Sequence, residues 1–405
     1  MMQAKQLKGA YDVSFQSKVE TSRAGEDLYP KPECATGRLC RGRERRSPEH
    51  MEGWGTGPQP PGIPPCTEGL PYDLAHAGPH VRMFCFLSVL LLCFILSSCI
   101  PDLEPVDPDR TFSSAEELVL SIGPRPHDSQ GNLSARNYIL DTFTALGLQD
   151  PHFHTFSDWG VTNGANVVAT APGMTYPEYI FLLGAHYDSI PEGVGAIDNA
   201  TGVATLMEIA RHFSENPPAY TIRFVAFDAE EDGLVGSYYY YNDTQGELPN
   251  TLLMLCLDMT QTNETSALSP LVAFVLSPHQ ALAQTFQQVR TAMGMSGSLF
   301  VPIPVDLAEE VSGGALRSDI HHWRDDPLLL AWPWAVSFEY HTIPGWIGQI
   351  DKTGLAISTK FILEVVRGLQ AYSPGDLQNT ATGTLSVDEG VVRMLQEKGG
   401  IKPVY

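Results

Sequence analysis

The chain has 405 residues, of which 43% are hydrophobic and 18% charged, with 31 prolines and 36 glycines, the make-up of a loop-rich globular protein. Its formal net charge is −22, unevenly spread: residues 1–82 hold 11 Lys and Arg against 10 Asp and Glu, and the remainder 14 against 37. So acidic a surface excludes nucleic acid as a partner, since that affinity rests on Lys and Arg neutralising phosphates, and it suits solubility or the attraction of free amines.

Residues 1–82 carry no sustained apolar period, and they contain the basic run RLCRGRERR followed by GWGTGPQPPGIPPC. The expectation is a disordered or untranslated extension. Met83 opens MFCFLSVLLLCFILSSC, whose length suits the apolar region of an export signal better than a full membrane span. Its last four residues, Leu96 to Cys99, resemble the lipobox of bacterial lipoproteins, in which the cysteine is lipidated and becomes the mature N-terminus. Residues 83–99 are therefore read as a signal peptide with lipobox, and the protein as exported and membrane-anchored, facing periplasm or exterior. A signal anchor left in place is the alternative. Of the seven cysteines only Cys256 lies beyond this segment, so the folded region has no internal disulfide available. Four Asn-x-Ser/Thr sequons, at Asn132, Asn199, Asn242 and Asn263, would matter only in a eukaryotic secretory route.

Residues 100–113 read as a proline-rich tether. SAEELVLSIG and SARNYILDTFTALGL follow as helical patterns, the second closed by Gly147. NVVATAPG and YIFLLGAH read as strands, and a helix begins at the Asp198–Asn199 cap signal, with Val203, Leu206, Met207, Ile209 and Ala210 on its apolar face. TIRFVAFD completes a strand, helix, strand crossover. Continuous apolar runs of this kind suit strands covered on both faces. GLVGSYYYYN starts a short helix; TLLMLCLDM and LVAFVLS are further strands, with a helix from His279 to Met293. WPWAVSFEYHT is read as a strand, LAISTKFILEVVRGLQAY as a long amphipathic helix, and VDEGVVRMLQEKG as a weak helix inside a C-terminal extension, residues 373–405. The alternation predicts an α/β fold: a three-layer αβα sandwich with a mixed, mostly parallel central sheet. Ligands in such folds sit at the carboxyl ends of the strands.

Chemistry-bearing residues fall at those ends. In order they are His186 and Asp188, Asp198, Glu230 and Glu231, Asp258, then Tyr340 and His341. A Glu-Glu pair alone is usually a solvated surface feature, and a lone His-x-Asp is more often structural than metal-binding. Five pieces in order, each after an apolar strand, are another matter. Together GAHYDS, GAIDNATG, FDAEEDGLVGS, LDM and EYHT resemble the signatures of the co-catalytic di-zinc aminopeptidases, a superfamily that includes glutaminyl cyclases and glutamate carboxypeptidases. The resemblance covers roughly Ser114 to Tyr372, and it implies a zinc peptidase domain over residues 114–372.

Carried over position by position, the resemblance implies two Zn2+ per chain. His186 and Asp258 would bind one, Glu231 and His341 the other, and Asp198 would bridge them, leaving room for a bridging water. Glu230 would be the general base, taking the proton of a metal-bridging hydroxide's parent water and passing it to the leaving amine. Asp188 would orient the His186 ring, and Tyr340 would offer a phenol to the developing oxyanion. A cis peptide between Asp198 and Asn199 is also implied. The expected activity is removal of N-terminal residues from peptides with a free N-terminus. A glutaminyl cyclase-like acyltransferase using one zinc, and a non-catalytic binding ectodomain of the same fold, are the alternatives. One departure stands out: SDIHHW at 318–323 occupies the place of the family's Ser-Asp-His followed by an aromatic, and here Ile320 fills the histidine position. Trp323, Trp332, Trp334 and Trp346 either line an apolar pocket or pack in the core.

Overall fold

A computed structural model describes residues 104–261, 272–295, 300–311, 316–335 and 345–384, with Gly390 and Arg393. All of them belong to His76–Tyr405, one of the two units into which the chain divides. Helix α1 (Pro108–Glu116) runs into a π-helical turn (Glu117–Ile122), and α2 spans Gln130–Ala145. Strands β1 (Gln149–Asp158), β2 (Val161–Ala171) and β3 (Tyr176–His186) follow, then a π-helical turn (Ala196–Ala200) and α3 (Thr201–Glu215). Next come β4 (Tyr220–Phe227), α4 (Val235–Asp243), β5 (Thr251–Cys256), β6 (Val272–Leu276), α5 (Gln280–Ala292), β7 (Phe300–Pro304) and α6 (Val305–Val311). A 3₁₀ turn (Asp319–Trp323), β8 (Leu329–Ala335), a 3₁₀ turn (Ile347–Gln349), α7 (Lys352–Leu369) and α8 (Pro374–Gln378) follow, and a further 3₁₀ turn (Leu248–Asn250) leads into β5.

One eight-stranded sheet has the order β1-β2-β4-β3-β5-β8-β6-β7. The centre is parallel, with β4, β3, β5 and β8 side by side, while β1 with β2, β2 with β4, and β6 with β8 are antiparallel. This is the expected mixed α/β sandwich, and alternation along the central strands builds its two cores. Phe181, Leu183 and Ala185 of β3, with Ile222, Phe224 and Ala226 of β4 and Leu253 and Leu255 of β5, face the layer of α1, α2, α3, α5 and α7. Leu182, Val225, Phe227, Met254 and Cys256 face the opposite layer with Trp323 and Trp332. Gly184 is required there: a Cβ on it would come within 2.3 Å of the Phe227 ring.

The chain leaves β3, crosses through α3 to β4 on one side, and then returns to β5 on the other side of β3. Such a reversal opens a crevice at the carboxyl ends of neighbouring strands. His186 ends β3, Asp228 follows the last residue of β4, and Asp258 lies two residues past β5. Three parallel neighbours thus deliver the chemistry to one rim.

Several expectations need correction. The stretch read as a tether is helical from Pro108, because Asp107 caps α1 by accepting from the Asp109 amide at 2.9 Å and proline is suited to the first helical position. Arg110 pairs with Glu208 of α3, and the Glu104 amide donates to Glu364 of α7 at 2.6 Å, so the domain begins before Ser114. The Asp198–Asn199 cap signal is met by its second residue, since Asn199 Oδ1 accepts from the Gly202 amide at 3.0 Å. The edge strands β1 and β7 were not foreseen: β1 is mostly polar and exposed, and β7 contains Pro302. Part of the C-terminal extension is docked, with α8 followed by a bridge between His279 and Thr382. The strand expected to end at Tyr340 and His341 is described as far as Ala335, and both residues lie outside the described set. Most of VDEGVVRMLQEKG, the apolar segment 83–99, and Asn263 also lie outside it.

Candidate metal centre

His186 is buried at the end of β3, where the next amide, Tyr187 N, still donates to Phe227 O at 2.9 Å and holds the two strand ends together. Its ring is gripped from two sides. Nδ1 lies 3.2 Å from Asp188 Oδ1, while Nε2 lies 2.9 Å from Asp198 Oδ1 and 3.6 Å from Asp258 Oδ1. Asp188 Oδ2 accepts from the Glu231 amide at 3.1 Å, so one carboxylate ties the histidine to the glutamate pair. The Glu230 turn is closed by Leu234 N donating to Glu230 O at 2.8 Å. His186, Glu230 and Asp258 each present a ligand atom within 4.8 Å of the others, and all three are buried.

The Asp198–Asn199 peptide is cis. Asn199 is buried: its amide nitrogen donates to Leu257 O at 2.8 Å and its oxygen accepts from Met259 N at 3.1 Å, which locks the turn bearing Asp198 against the one bearing Asp258. Of the sequons, Asn132 and Asn199 are thus buried and hydrogen-bonded. The structure brings together six of the eight sequence-derived site residues: His186, Asp188, Asp198, Glu230, Glu231 and Asp258.

Electrostatics show what such a cluster needs. Burial alone would lower the His186 pKa, yet Glu230, Asp188, Asp198 and Asp258 hold it well above the usual histidine value. Burial pushes the Glu230 carboxyl well up, against the pull of His186, and Glu231, Asp258 and Asp319 add to the rise. Asp258 is also raised by burial, with Asp198 adding to it. Among the described residues the buried His186 Nε2 makes no hydrogen bond of good geometry, although Asp198 Oδ1 lies 2.9 Å from it and Asp258 Oδ1 3.6 Å. A buried imidazole nitrogen with several carboxylates converging on it forms a site for a cation, the proton that the raised His186 pKa retains or a metal in its place, and one imidazole with carboxylates is a donor set that suits zinc. The residues present fit the metal that the motifs imply.

Two buried residues escaped the sequence reading. Asp319, in the SDIHHW segment, is fully buried, and burial raises its pKa to about 7 against the pull of His186 and of a Ser237 hydrogen bond; in sequence it is one acid among polar residues and histidines. Arg125 sits between two prolines in what reads as an ordinary surface turn, yet it is fully buried beside Asp188 and Asp198. Asp228 is a hydrogen-bonding residue rather than a ligand, accepting from Asn132 Nδ2, Ala165 N and Ala229 N at 2.7, 3.0 and 2.9 Å. Cys256 packs in the core with its Sγ 3.0 Å from Ser318 Oγ. Trp323, Trp332 and Trp334 are core residues, whereas Trp346 is 62% exposed.

Comparison with known proteins follows the same span. Residues 166–366, from within β2 to within α7, match Peptidase family M28. A vacuolar membrane protease of Schizosaccharomyces pombe is 31% identical over 150 residues, 33% of this chain and 18% of that protein. The chain spans about a fifth of the length of the curated relatives it matches first. Among solved structures, BSAP, a zinc aminopeptidase from Bacillus subtilis, superposes with a TM-score of 0.54 at 16% identity, over 65% of this chain and 94% of that one. A Bacteroides thetaiotaomicron glutaminyl cyclase bound to N-acetylhistamine gives 0.53 at 19% identity, over 66% and 99%. At these identities the superpositions speak for the fold, and the matched segment carries every described residue of the cluster. Over residues 166–366 the chain thus matches Peptidase family M28, and that match together with the shared fold supports its place in the co-catalytic zinc aminopeptidase superfamily.

Proposed function

We propose that the protein is a zinc-dependent exopeptidase that removes N-terminal residues from peptides. The observation that carries this reading is the buried group of carboxylates converging on His186 Nε2, with Glu230 among them at the rim of the sheet. His186 and Asp258 would hold one Zn2+, Glu231 and His341 a second, and Asp198 would serve both. Zinc bound there supplies Lewis-acid polarisation of the scissile carbonyl and a water acidic enough to attack near neutral pH.

The protein's own residues do the rest. Glu230, whose pKa burial raises, takes the attacking water's proton and delivers it to the leaving amine as the C–N bond breaks. Asp188 fixes the tautomer and orientation of His186 through Nδ1. Tyr340 would donate its hydroxyl to the oxyanion that develops on the carbonyl. The acidity of the chain after residue 82, 37 acids against 14 bases, favours approach of a peptide's free amine. The relatives named as aminopeptidases and zinc metalloproteases support the hydrolytic reading.

The glutaminyl cyclase reading shares this fold and is separated by experiment. Purified protein would be analysed for zinc and assayed against aminoacyl p-nitroanilides and N-terminal glutamine peptides. Two zincs per chain, release of free amino acid, and chelator-sensitive activity restored by zinc are expected. A single zinc with conversion of glutamine to a lactam, and no action on leucyl or alanyl substrates, would refute the proposal. For localisation, we propose export and membrane attachment through residues 83–99 with Cys99 lipidated. Relatives named as vacuolar membrane proteases agree with attachment to a membrane in general. Among the described residues no helix is long and apolar enough to cross one. Metabolic labelling with palmitate, lost in Cys99→Ala, tests the anchor.

A further inference from the structure

Arg125 makes an unusual set of bonds for a buried cation. Its Nε donates to Tyr187 O at 2.7 Å, Nη1 to Leu118 O, Gly123 O and Val194 O at 3.0, 3.0 and 2.7 Å, and Nη2 to Gly195 O at 3.0 Å. Every one of these acceptors is a main-chain carbonyl. They belong to three separate pieces of chain: the π-helical turn after α1, the segment after β3 that flanks Asp188, and the residues just before Asp198. The main chain of Arg125 joins the same clasp. Its amide donates to Ser189 Oγ at 2.9 Å, its carbonyl accepts from Ser189 N at 3.3 Å, and Ser189 Oγ donates on to Gly193 O at 3.0 Å. Gly195 permits the approach, since its φ is +54° and a Cβ there would come within 2.5 Å of Arg125 Nη2.

A guanidinium taken wholly out of water is costly unless its donors and its charge are both answered. The carbonyls answer the donors. Asp188, Asp198 and Glu231 answer the charge at longer range, although burial still lowers the pKa to about 10. The same group therefore meets both loops of the cluster by geometry and three of its carboxylates by field.

We propose that Arg125 is a positioning residue that sets the separation of the Tyr187–Ser189 and Val194–Asp198 segments, and with it the places of Asp188 on His186 Nδ1 and Asp198 opposite Nε2. Lysine keeps the charge but has neither the planar fork nor five donors, so it cannot bridge both segments at once. The effect of Arg125→Lys is thereby one of geometry. The part of this inference that concerns metal rests on the proposed zinc chemistry, and the part that concerns the loops does not.

The test uses the full chain and the Arg125→Lys variant, with Ser189→Ala as the milder companion should Arg125→Lys fail to fold. In metal-free protein, amide hydrogen exchange of residues 187–199 should quicken at least ~10-fold while the buried face of α7 stays as protected as in wild type. In zinc-loaded protein, competition with a chromogenic chelator should show ~10-fold to 100-fold weaker zinc binding. The kcat should fall by ~10-fold to 100-fold with KM within ~3-fold, the pattern of a misplaced site rather than a lost substrate contact. Unchanged exchange over 187–199, or an equal rise across the whole domain, would overturn the proposal. If wild-type protein binds no zinc, the functional reading fails by itself, and the exchange result alone decides the role of Arg125.

Discussion

Asp188→Asn offers the most direct test of the site's wiring, because one carboxylate holds two neighbours. Oδ1 faces His186 Nδ1 at 3.2 Å and Oδ2 accepts from the Glu231 amide at 3.1 Å, with Asp188 itself fully buried. Asparagine has one acceptor oxygen for these two donors. If its oxygen keeps the Glu231 amide, its NH2 group is turned toward Nδ1, which must then give up its proton; the imidazole shifts tautomer and Nε2 becomes the protonated, non-ligating nitrogen. If it rotates, the Glu231 amide loses its acceptor in a buried setting. Either way one charge-assisted hydrogen bond is lost, worth about 1.5 to 3 kcal/mol, which corresponds to roughly 10-fold to 150-fold in zinc affinity. The assay is equilibrium competition with a chromogenic chelator on folded protein, with zinc-saturated kcat measured alongside. Zinc affinity within twofold of wild type in a folded Asp188→Asn protein would refute the argument that Asp188 orients the ligands.

Further expectations concern the base, the scaffold and pH. Glu230→Gln keeps size and reach but cannot take a proton, so kcat should collapse by ~10²-fold to 10⁴-fold with metal content intact, whereas Glu231→Gln should lose metal first and regain activity in part at high zinc; equal metal contents in the two variants would undo these assignments. Asp228→Ala strands three buried donors, Asn132 Nδ2, Ala165 N and Ala229 N, and should cost about 3 to 5 kcal/mol in urea unfolding; a loss under 1 kcal/mol would contradict its role. Burial, helped by His321 and Arg324, brings His322 down to about 4. The folded protein therefore binds fewer protons there than the unfolded chain, and this contribution to stability is full above the unfolded pKa and is lost as pH falls toward 4. Between pH 6.5 and 4, His322→Phe should lose on the order of 2 kcal/mol less stability than wild type, read as the difference between the two slopes because the raised carboxylates of the site act in the opposite sense; parallel slopes would dismiss it.

The buried strands and the acids at their ends were readable because both rest on local rules. Apolar runs such as YIFLLGAH and TIRFVAFD have few ways to be buried except as central strands, and a polar residue closing such a run must find a partner or a role. The order His186, Asp198, Glu230–Glu231, Asp258 was therefore visible along the chain. Even Asp107 with Pro108, passed over as tether, was a legible helix start.

Other features are set only by contacts between segments far apart in the chain. No local pattern states that β5 returns to the far side of β3 from β4, which is what brings Asp258 to within 3.6 Å of His186. β1 and β7 are held at the sheet edges by pairing with β2 and β6, not by an apolar signature of their own. Asp319 and Arg125 look like surface residues in polar, proline-flanked or histidine-rich surroundings, and their burial follows from elements that close over them. A charged side chain's propensity favours solvent, so its withdrawal is decided by partners lying far along the chain: for Arg125 these are carbonyls as distant as 70 residues, which only the folded arrangement can supply.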